Sequence, residues 1–366
     1  MTSDHACMAH ALQLAAHGLY TAHPNPRVGC VIVRDGEIVG AGWHQRSGEA
    51  HAEIHALQQA GARARGATAY VTLEPCCHHG RTPPCTDALI QAGVARVVAA
   101  MRDPNPKVAG AGLKQLETAG IAVETGVLQT EAERLNPGFI MRMRAGRPFV
   151  RCKLAMTLDG RTAAADGASQ WITGEAARAD VQYWRARSSA ILTGIGTVLA
   201  DDPHLTVRLA DDHLHPLRVV LDSRLRLPPG ARMLQEPGQT LILTADGDDA
   251  KRAALTQAGA TVASMPHGNG GIDLHAALRY LATEHDINEL LVEAGPILSG
   301  ALLEAGLIDE LVIYMAPVLL GDGARSLFHL STPLTMPQRI ELNISEIRAV
   351  GHDWRITATP SKPLAA

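Results

Sequence analysis

Three residues of the N-terminal half carry the side chains of a catalytic zinc site: His51, Cys76 and Cys85. Zinc prefers imidazole and thiolate ligands, and a catalytic zinc ion keeps its fourth position open for water. Glu53 follows His51 closely and is not needed as a ligand. The pattern therefore predicts that zinc activates a water molecule, while Glu53 takes a proton from this water and delivers it to a leaving amine.

A structural zinc site is the alternative interpretation. It would need a fourth protein ligand, which Cys77, His78 or His79 could supply. This interpretation leaves Glu53 without a role. His-x-Glu followed later by Pro-Cys is the general signature of zinc nucleobase deaminases, although eight residues rather than two separate the cysteines in this chain.

Further polar residues lie in proline-rich segments around this pattern. One segment is His23-Pro24-Asn25-Pro26 and another spans residues 78–84, with His44 between them. Prolines hold loop backbones in fixed conformations, which suits a substrate pocket. Asn25 could read donor and acceptor groups of a heterocycle, and Arg81 could hold a phosphate by two hydrogen bonds. Each residue taken alone could equally occupy a turn or the surface.

The C-terminal half carries weaker signals. Gly194-Ile195-Gly196-Thr197 and Gly295-Pro296 each follow a strand pattern. A helix that begins at such a turn can bind the diphosphate of a dinucleotide at its N-terminus. When these residues are read alone, an ordinary strand–helix connection with proline at the first helical position is the simpler interpretation.

Alternating helix and strand patterns must position these residues. In the first half, helices are predicted at residues 5–20, 51–60, 86–92 and 112–119, and strands at 28–33, 37–42, 69–73, 94–101 and 122–124. Asp35-Gly36 predicts a hairpin between the first two strands. In the second half, strands are predicted at residues 149–156, 190–193, 218–221, 240–243, 289–293 and 310–315. This alternation predicts an α/β fold with parallel strand pairing and helices on the sheets.

Residues 126–148 interrupt this rhythm with Asn136-Pro137-Gly138 and several arginines before Pro148. A chain of 366 residues is long enough for two domains. We place the boundary near Gly146, which gives domains 1–145 and 146–366. A long excursion within a single domain is the alternative.

Composition and charge restrict the possible partners. A net charge of -4 argues against a nucleic-acid partner, and no run of 18 apolar residues could span a membrane. The N-terminus lacks the cationic flank of a secretory signal, and six cysteines in this length do not make a disulfide scaffold. We therefore expect a cytoplasmic protein that acts on a small molecule, without nucleic acid or membrane as partner. A homo-oligomer stays open.

Together these motifs resemble the bifunctional deaminase–reductase family of riboflavin biosynthesis. The resemblance rests on His23-Pro-Asn-Pro-x-Val-Gly29, His51-Ala-Glu53 and Glu74-Pro-Cys-x-His-x-Gly-Arg-Thr-Pro-Pro-Cys85. The long cysteine spacing belongs to the family pattern, whereas Cys77 departs from the serine common there. The resemblance implies a cytidine-deaminase-like three-layer α/β/α domain with one zinc ion. The implied substrate is 2,5-diamino-6-ribosylamino-4(3H)-pyrimidinone 5′-phosphate, contacted by Asn25, His44, His78 and Arg81.

The resemblance covers nearly the whole chain. Residues 146–366 are similar to the family's reductase domain, which is related to dihydrofolate reductase and reduces the ribosyl group to ribityl with NADPH. The implied substrate contacts are Ser169, Arg185, Leu205, Arg208 and Glu293, with the two arginines on the phosphate. The implied NADPH site comprises Ala155, Trp171, Thr197, Asp201, Ser223, Gly295, Pro296, Ile297, Leu298, Ser299, Gly300 and Ala301. Lys153, Asp201 and Glu293 are polar residues that could assist protonation.

Two rival functions follow from the same zinc pattern. A nucleic-acid deaminase would need a basic groove and stacking aromatic residues, which the net charge and the total of three phenylalanines oppose. A zinc-stabilised scaffold that binds a nucleotide without turnover would leave Glu53 unused. Loss of deamination with zinc retained in a Glu53 variant would separate an enzyme from such a scaffold.

Overall fold

The computed structural model describes residues 3–78, 83–106, 108–210, 212–268 and 270–361. Arg81, expected to bind phosphate, and His79, the alternative zinc ligand, lie outside the described residues. The chain divides into two compact units, Met1–Arg147 and Pro148–Ala366. The domain boundary expected near Gly146 lies next to this division.

The first unit is built on a five-stranded sheet with the order β2-β1-β3-β4-β5. Its strands are β1 (Gly29–Arg34), β2 (Glu37–Trp43), β3 (Thr68–Val71), β4 (Arg96–Ala99) and β5 (Ala122–Thr125). Its helices are α1 (Asp4–Ala16), α2 (Ala52–Ala60), α3 (Cys85–Ala92), α4 (Ala111–Thr118), α5 (Gln129–Leu135) and α6 (Pro137–Ala145). β1 pairs antiparallel with β2 across the predicted Asp35-Gly36 turn and antiparallel with β3, whereas β3, β4 and β5 run parallel.

Alternate residues of β1 face two separate hydrophobic cores. Cys30 and Ile32 pack with α2, α3 and α4, whereas Val31 and Val33 pack with α1, α5 and α6. This arrangement is the expected three-layer α/β/α sandwich. A Cβ atom on Gly42 would lie 2.8 Å from the carbonyl oxygen of Ala52, so glycine lets the start of α2 approach β2 closely. The sheet thereby supports the helical turn that contains Glu53.

The segment 126–148, where the sequence interrupts the α/β rhythm, contains α5 and α6. Asn136 lies between these helices and is 3% exposed. Its Oδ1 accepts a hydrogen bond from the Arg27 backbone N–H, and its Nδ2 donates to the Arg27 carbonyl, both at 2.8 Å. The Arg27 guanidinium also donates to the carbonyl of Leu135 at 2.9 Å. These bonds tie the loop that contains Asn25 to the α5–α6 segment.

The second unit is built on a nine-stranded sheet with the order β11-β10-β9-β8-β14-β6-β15-β18-β17. The strands of this unit, including those of two small two-stranded sheets, are β6 (Phe149–Thr157), β7 (Arg161–Ala163), β8 (Ala190–Gly194), β9 (Leu217–Leu221), β10 (Thr240–Thr244), β11 (Thr261–Ser264), β12 (His267–Gly268), β13 (Gly271–Ile272), β14 (Glu289–Val292), β15 (Glu310–Ala316), β16 (Arg325–Ser326), β17 (Leu342–Val350) and β18 (Asp353–Pro360). Its helices are α7 (Glu175–Arg187), α8 (Ile195–Asp201), α9 (Asp249–Gln257), α10 (Leu274–Glu284) and α11 (Pro296–Glu304). In the described part of the chain, every helix falls short of the length and hydropathy that a membrane span requires.

The large sheet is parallel from β11 to β15, and the C-terminal hairpin of β17 and β18 adds antiparallel strands at one edge. Apolar side chains cover both faces of the parallel part, as shown by Leu192 on one side and Ile191 on the other. The carboxyl ends of parallel strands meet at the same edge, where α/β proteins bind ligands. The turns after β8, β9 and β14 all lie at this edge.

Candidate active sites

His51, Cys76 and Cys85 form a cluster in the first unit that could hold a metal ion. His51 is the N-cap residue of α2, and Cys85 is the first residue of α3. The His51 Nδ1 atom lies 3.3 Å from Cys85 Sγ and 3.5 Å from Cys76 Sγ, and the three donor atoms all lie within 4.8 Å of one another. Donors that each bind one tetrahedral zinc ion at roughly 2.0–2.3 Å would show this spacing. The cluster therefore fits zinc and could supply three ligands.

Hydrogen bonding shifts the pKa values of the two thiols in opposite directions. The hydrogen bond with Cys85, followed by that with His51, lowers the pKa of the Cys76 thiol to about 4. The same bond, together with burial, raises the pKa of the Cys85 thiol. One thiol thus holds the proton that the other gives up. Both thiols can be ionised at this separation only when a cation lies between them.

Glu53 lies in the first turn of α2 and is 3% exposed. Burial raises the pKa of its carboxyl group, although the charge of His51 partly opposes the shift. The carboxyl group also interacts with the Cys85 thiol. A buried carboxyl group of raised pKa beside a metal cluster can exchange a proton, which is the requirement for general acid–base catalysis.

Asn25 and His44 lie beside the cluster. The His44 ring is centred 5.3 Å from the His51 ring, and His44 Nε2 lies 3.0 Å from Asn25 Nδ2. His44 Nδ1 lies 3.1 Å from the Ala50 carbonyl oxygen, so Nδ1 must carry the proton of this bond. Burial lowers the pKa of His44 and favours the neutral ring. His44 Nε2 is therefore the acceptor for an Asn25 N–H, which fixes the orientation of the Asn25 amide.

Two further substrate contacts, His78 and Arg81, were expected in this unit. His78 is described and exposed, and Arg81 lies outside the described residues. Sequence reasoning missed Asp103, which lies in the loop after β4 and feels the charges of Glu74 and Cys76. Burial raises the pKa of Asp103 to about 6. The signal available in the sequence was the repetition of the Pro-Asn-Pro of the first segment in residues 104–106.

A charged cluster lies in the second unit. Arg185 Nε and Nη2 donate to the two carboxylate oxygens of Glu293 at 2.6 and 2.9 Å, and Arg185 Nη1 donates to the Thr206 carbonyl at 2.9 Å. Burial opposes ionisation of Glu293, but the charge of Arg185 and its hydrogen bonds lower the pKa of this carboxyl group. Burial lowers the pKa of Lys153, and the charge of Glu293 partly opposes this shift. Arg208 is exposed and interacts electrostatically with the same carboxylate.

Several residues expected to bind NADPH lie at the carboxyl ends of the parallel strands. Gly295 is the N-cap residue of α11, and its N–H donates to Thr197 Oγ1 of α8 at 3.2 Å. Ser223 follows β9, and Ala155 lies near the end of β6. These residues share the ligand-binding edge of the sheet.

The remaining expected contacts differ in accessibility. Trp171 is 70% exposed with the Arg178 guanidinium 4.8 Å from its ring centre, and Asp201 is exposed at the end of α8. Ile297 is exposed, whereas Ser299 is fully buried and Gly300 packs against the backbone of His329. The half-buried residues among the expected contacts are Ser169, Pro296, Leu298 and Ala301, and Leu205 is buried.

Two family models match the chain. The model of the cytidine and deoxycytidylate deaminase zinc-binding region matches residues 1–101. The model of the RibD C-terminal domain matches residues 148–356, which is more than half of the chain. Each match falls within one of the two units.

Relatives match along nearly the full length. The riboflavin biosynthesis protein RibD of Escherichia coli (strain K12) is 52% identical over 362 residues, which cover 96% of this chain and 97% of the relative. A solved structure of Acinetobacter baumannii RibD is 45% identical, covers 98% of this chain and 99% of that chain, and has a TM-score of 0.92. A diaminohydroxyphosphoribosylaminopyrimidine deaminase/5-amino-6-(5-phosphoribosylamino)uracil reductase of Thermotoga maritima is 33% identical, covers 98% and 99%, and has a TM-score of 0.85. Zinc and NADPH are the cofactors that fit such proteins. The chain therefore belongs to the RibD family, the bifunctional deaminase–reductases of riboflavin biosynthesis.

Proposed function

We propose that the two units catalyse consecutive steps on one phosphorylated pyrimidine. Residues 1–145 hydrolytically deaminate 2,5-diamino-6-ribosylamino-4(3H)-pyrimidinone 5′-phosphate. Residues 146–366 then reduce the ribosyl side chain with NADPH and give 5-amino-6-ribitylamino-uracil 5′-phosphate. The observation that carries the deaminase assignment is the buried Glu53 beside a cluster of three zinc-type donors. The name of the Thermotoga maritima relative describes the same pair of activities. Its reductase acts on a uracil, which is the deaminated ring, and this supports the order of steps.

His51, Cys76 and Cys85 would hold the zinc ion in the deaminase unit. Zinc in such a site polarises water and lowers its pKa toward neutrality. Glu53 takes a proton at its carboxylate and returns it to the leaving amine. Its buried position suits this role, because burial brings the pKa of a carboxyl group closer to the working pH.

Asn25 would recognise the pyrimidine ring. One of its N–H groups donates to His44 Nε2. Among the described residues, its Oδ1 and the remaining N–H have no hydrogen-bond partner, so Asn25 offers an acceptor and a donor side by side. An aminopyrimidinone edge presents the complementary donor and acceptor. His44 would act by fixing the orientation of the Asn25 side-chain amide.

The reductase unit would bind the phosphate and ribose groups of the substrate. Lys153, Arg185 and Arg208 all act on the carboxylate of Glu293, so three cationic groups share one anion. The excess positive charge suits a phosphate. NADPH supplies the hydride when it is bound at the edge formed by α8 and α11. Glu293 would orient the substrate, and Lys153 would donate a proton.

Replacement of Glu53 tests the deaminase assignment. Glu53→Gln should retain zinc but lower the deamination rate about 10²- to 10⁴-fold, because the proton acceptor is lost. Zinc content and ammonia release are measured on the same sample. Glu49→Gln is the control, because Glu49 is a nearby but exposed carboxylate. Undiminished deamination by Glu53→Gln would exclude the assigned role.

We further propose that the enzyme works in the cytoplasm. All six cysteines of the chain are unpaired thiols, which a reducing compartment preserves. A homo-oligomer is a separate proposal, and sedimentation of the zinc-loaded protein would test it.

A further inference from the structure

Glu74 lies two positions before Cys76 and is 3% exposed. Its Oε2 accepts hydrogen bonds from the backbone N–H groups of Asp103 and Gly110, both at 3.0 Å. Its Oε1 accepts from the N–H groups of Gly112 at 3.0 Å and Leu113 at 3.4 Å. One buried side chain therefore satisfies four backbone donors in the segment that leads from β4 into α4. Such charge-assisted bonds are stronger than bonds between neutral groups.

A second contact joins the same two segments. A Cβ atom on Gly112 would lie 2.2 Å from the Pro75 carbonyl oxygen and 3.2 Å from Glu74 Oε1. The first turn of α4 therefore packs directly on the backbone between Glu74 and Cys76. Only a residue without a side chain permits this approach.

The first two residues of α3 form a third connection to Cys76. The Thr86 backbone N–H donates to the Cys76 carbonyl oxygen at 3.2 Å. The Thr86 hydroxyl group lies 3.0 Å from Gln115 Oε1, and Gln115 is a residue of α4. The Cys85 backbone N–H lies 3.4 Å from Cys76 Sγ. Residues Gly112, Leu113 and Gln115 of α4 thus contact both segments that supply the cysteines.

We propose that Glu74 is a positioning residue of the metal site, which holds Cys76 at ligand distance by fastening its segment to α4. The inference rests on the proposed zinc site. Before a metal binds, no metal–ligand bond holds Cys76 in place, so the contacts of its segment with α4 must do so. Side chains that orient metal ligands in this way typically change metal affinity or activity about 10- to 100-fold when they are replaced.

We call the contact of the Glu74–Cys76 segment with α4 and the loop before it the joint. Two variants perturb this joint in different ways. Glu74→Gln preserves size but replaces one acceptor oxygen with an NH₂ group, so two of the four backbone donors lose their acceptor. Gly112→Ala leaves Glu74 intact and places a methyl group against Pro75. Asp4→Asn is the control, because it removes a carboxylate of the same unit whose bonds to Tyr70 and Arg96 lie outside this joint.

The measurement is the rate at which zinc passes from the full-length protein to a chromophoric chelator. Wild-type protein must first bind one zinc ion per chain; failure here would reject the proposed function itself. We expect both joint variants to release zinc about 10- to 100-fold faster than wild type, and the control to match wild type. The absorption bands of the cobalt-substituted protein should shift in the joint variants alone. Wild-type release rates in both joint variants, or equal acceleration in the control, would overturn the inference.

Hydrogen exchange on the wild-type protein tests the same coupling without any variant. Coupling between two sites is reciprocal. Removal of zinc should therefore accelerate exchange of the amides of Asp103, Gly110, Gly112 and Leu113 more than that of amides in β1. Equal exchange of these four amides with and without zinc would also overturn the inference, whether or not the variants fold.

Discussion

At the residue scale, the two arginines expected to clamp the substrate phosphate have different surroundings. Arg185 donates two hydrogen bonds to Glu293 and a third to the Thr206 carbonyl. Arg208 is exposed, and its backbone N–H donates to Gln182 Oε1 at 3.0 Å. The guanidinium of Arg208 is therefore better placed to bind an incoming phosphate, whereas Arg185 holds the carboxylate.

This difference predicts different kinetics for the two truncations. Arg208→Ala should raise the reductase KM about 10- to 100-fold, because a hydrogen bond to a charged group contributes roughly 1.5–3 kcal/mol. Its kcat and melting temperature should stay close to wild type. Arg185→Ala should instead lower both melting temperature and kcat, since it leaves Glu293 buried without its partner. The KM for the dephosphorylated substrate is the control, and an equal effect of Arg208→Ala on both substrates would contradict the phosphate role.

Side-chain chemistry and the order of residues in the motifs were the signals by which the sequence pointed to a candidate site. His51, Glu53, Cys76 and Cys85 were identified because their side-chain types are rare in such an arrangement, and the structure brings the three donors together. The pairing of Arg185 with Glu293 could not be predicted, because 108 positions separate them and each is an ordinary charged residue when read alone. The anchoring of the loop after β4 depends on backbone N–H groups, which leave no pattern in the sequence.

At the element scale, the short α5–α6 connection predicts a role for Asn136. Its side chain forms hydrogen bonds with both the backbone N–H and the carbonyl group of Arg27, as a neighbouring strand would. Asn136→Ala should remove both of these hydrogen bonds, each of which contributes roughly 0.5–1.5 kcal/mol. The loop that contains Asn25 should then loosen, so the deaminase KM should rise severalfold while reductase kinetics stay unchanged.

Steady-state kinetics of both activities on one preparation would check this prediction. Asp4→Asn is again the matched control, since it removes side-chain hydrogen bonds in the same unit without contacting the loop before β1. A larger change of deaminase KM in the control than in Asn136→Ala would show that general loss of stability, and not loop position, controls substrate binding.

The elements themselves were partly predictable. The Asp35-Gly36 turn predicted the β1–β2 hairpin because both residues can adopt positive φ, and they do so at 52° and 83°. α5 was not predicted, because Ala132 is its only buried residue and gives no apolar periodicity. β17 was not predicted either: its register shifts between Ile344 and Glu346, so the alternation of apolar residues that begins at Leu342 and Ile344 changes phase before Ile347.

At the scale of the whole molecule, each set of proposed site residues comes from a single unit. The zinc cluster, Glu53 and Asn25 belong to Met1–Arg147, whereas Glu293 and its cations belong to Pro148–Ala366. The family assignment inferred from the motifs is confirmed by the relatives and by both family models. Because the units have separate hydrophobic cores, loss of chemistry in one should leave the fold of the other intact.

This separation predicts that two inactive chains can complete the reaction together. Glu53→Gln should lack deamination but reduce the deaminated pyrimidine, and a chain with both Arg185→Ala and Arg208→Ala should deaminate but reduce poorly. A mixture of the two should convert the diaminopyrimidinone phosphate and NADPH to the ribityl product after a lag, because the deaminated intermediate must diffuse between chains. Product masses followed over time measure this. A single chain with all three substitutions is the control and should form no product; a mixture equally inactive would mean that the intermediate passes between the sites of one chain without release.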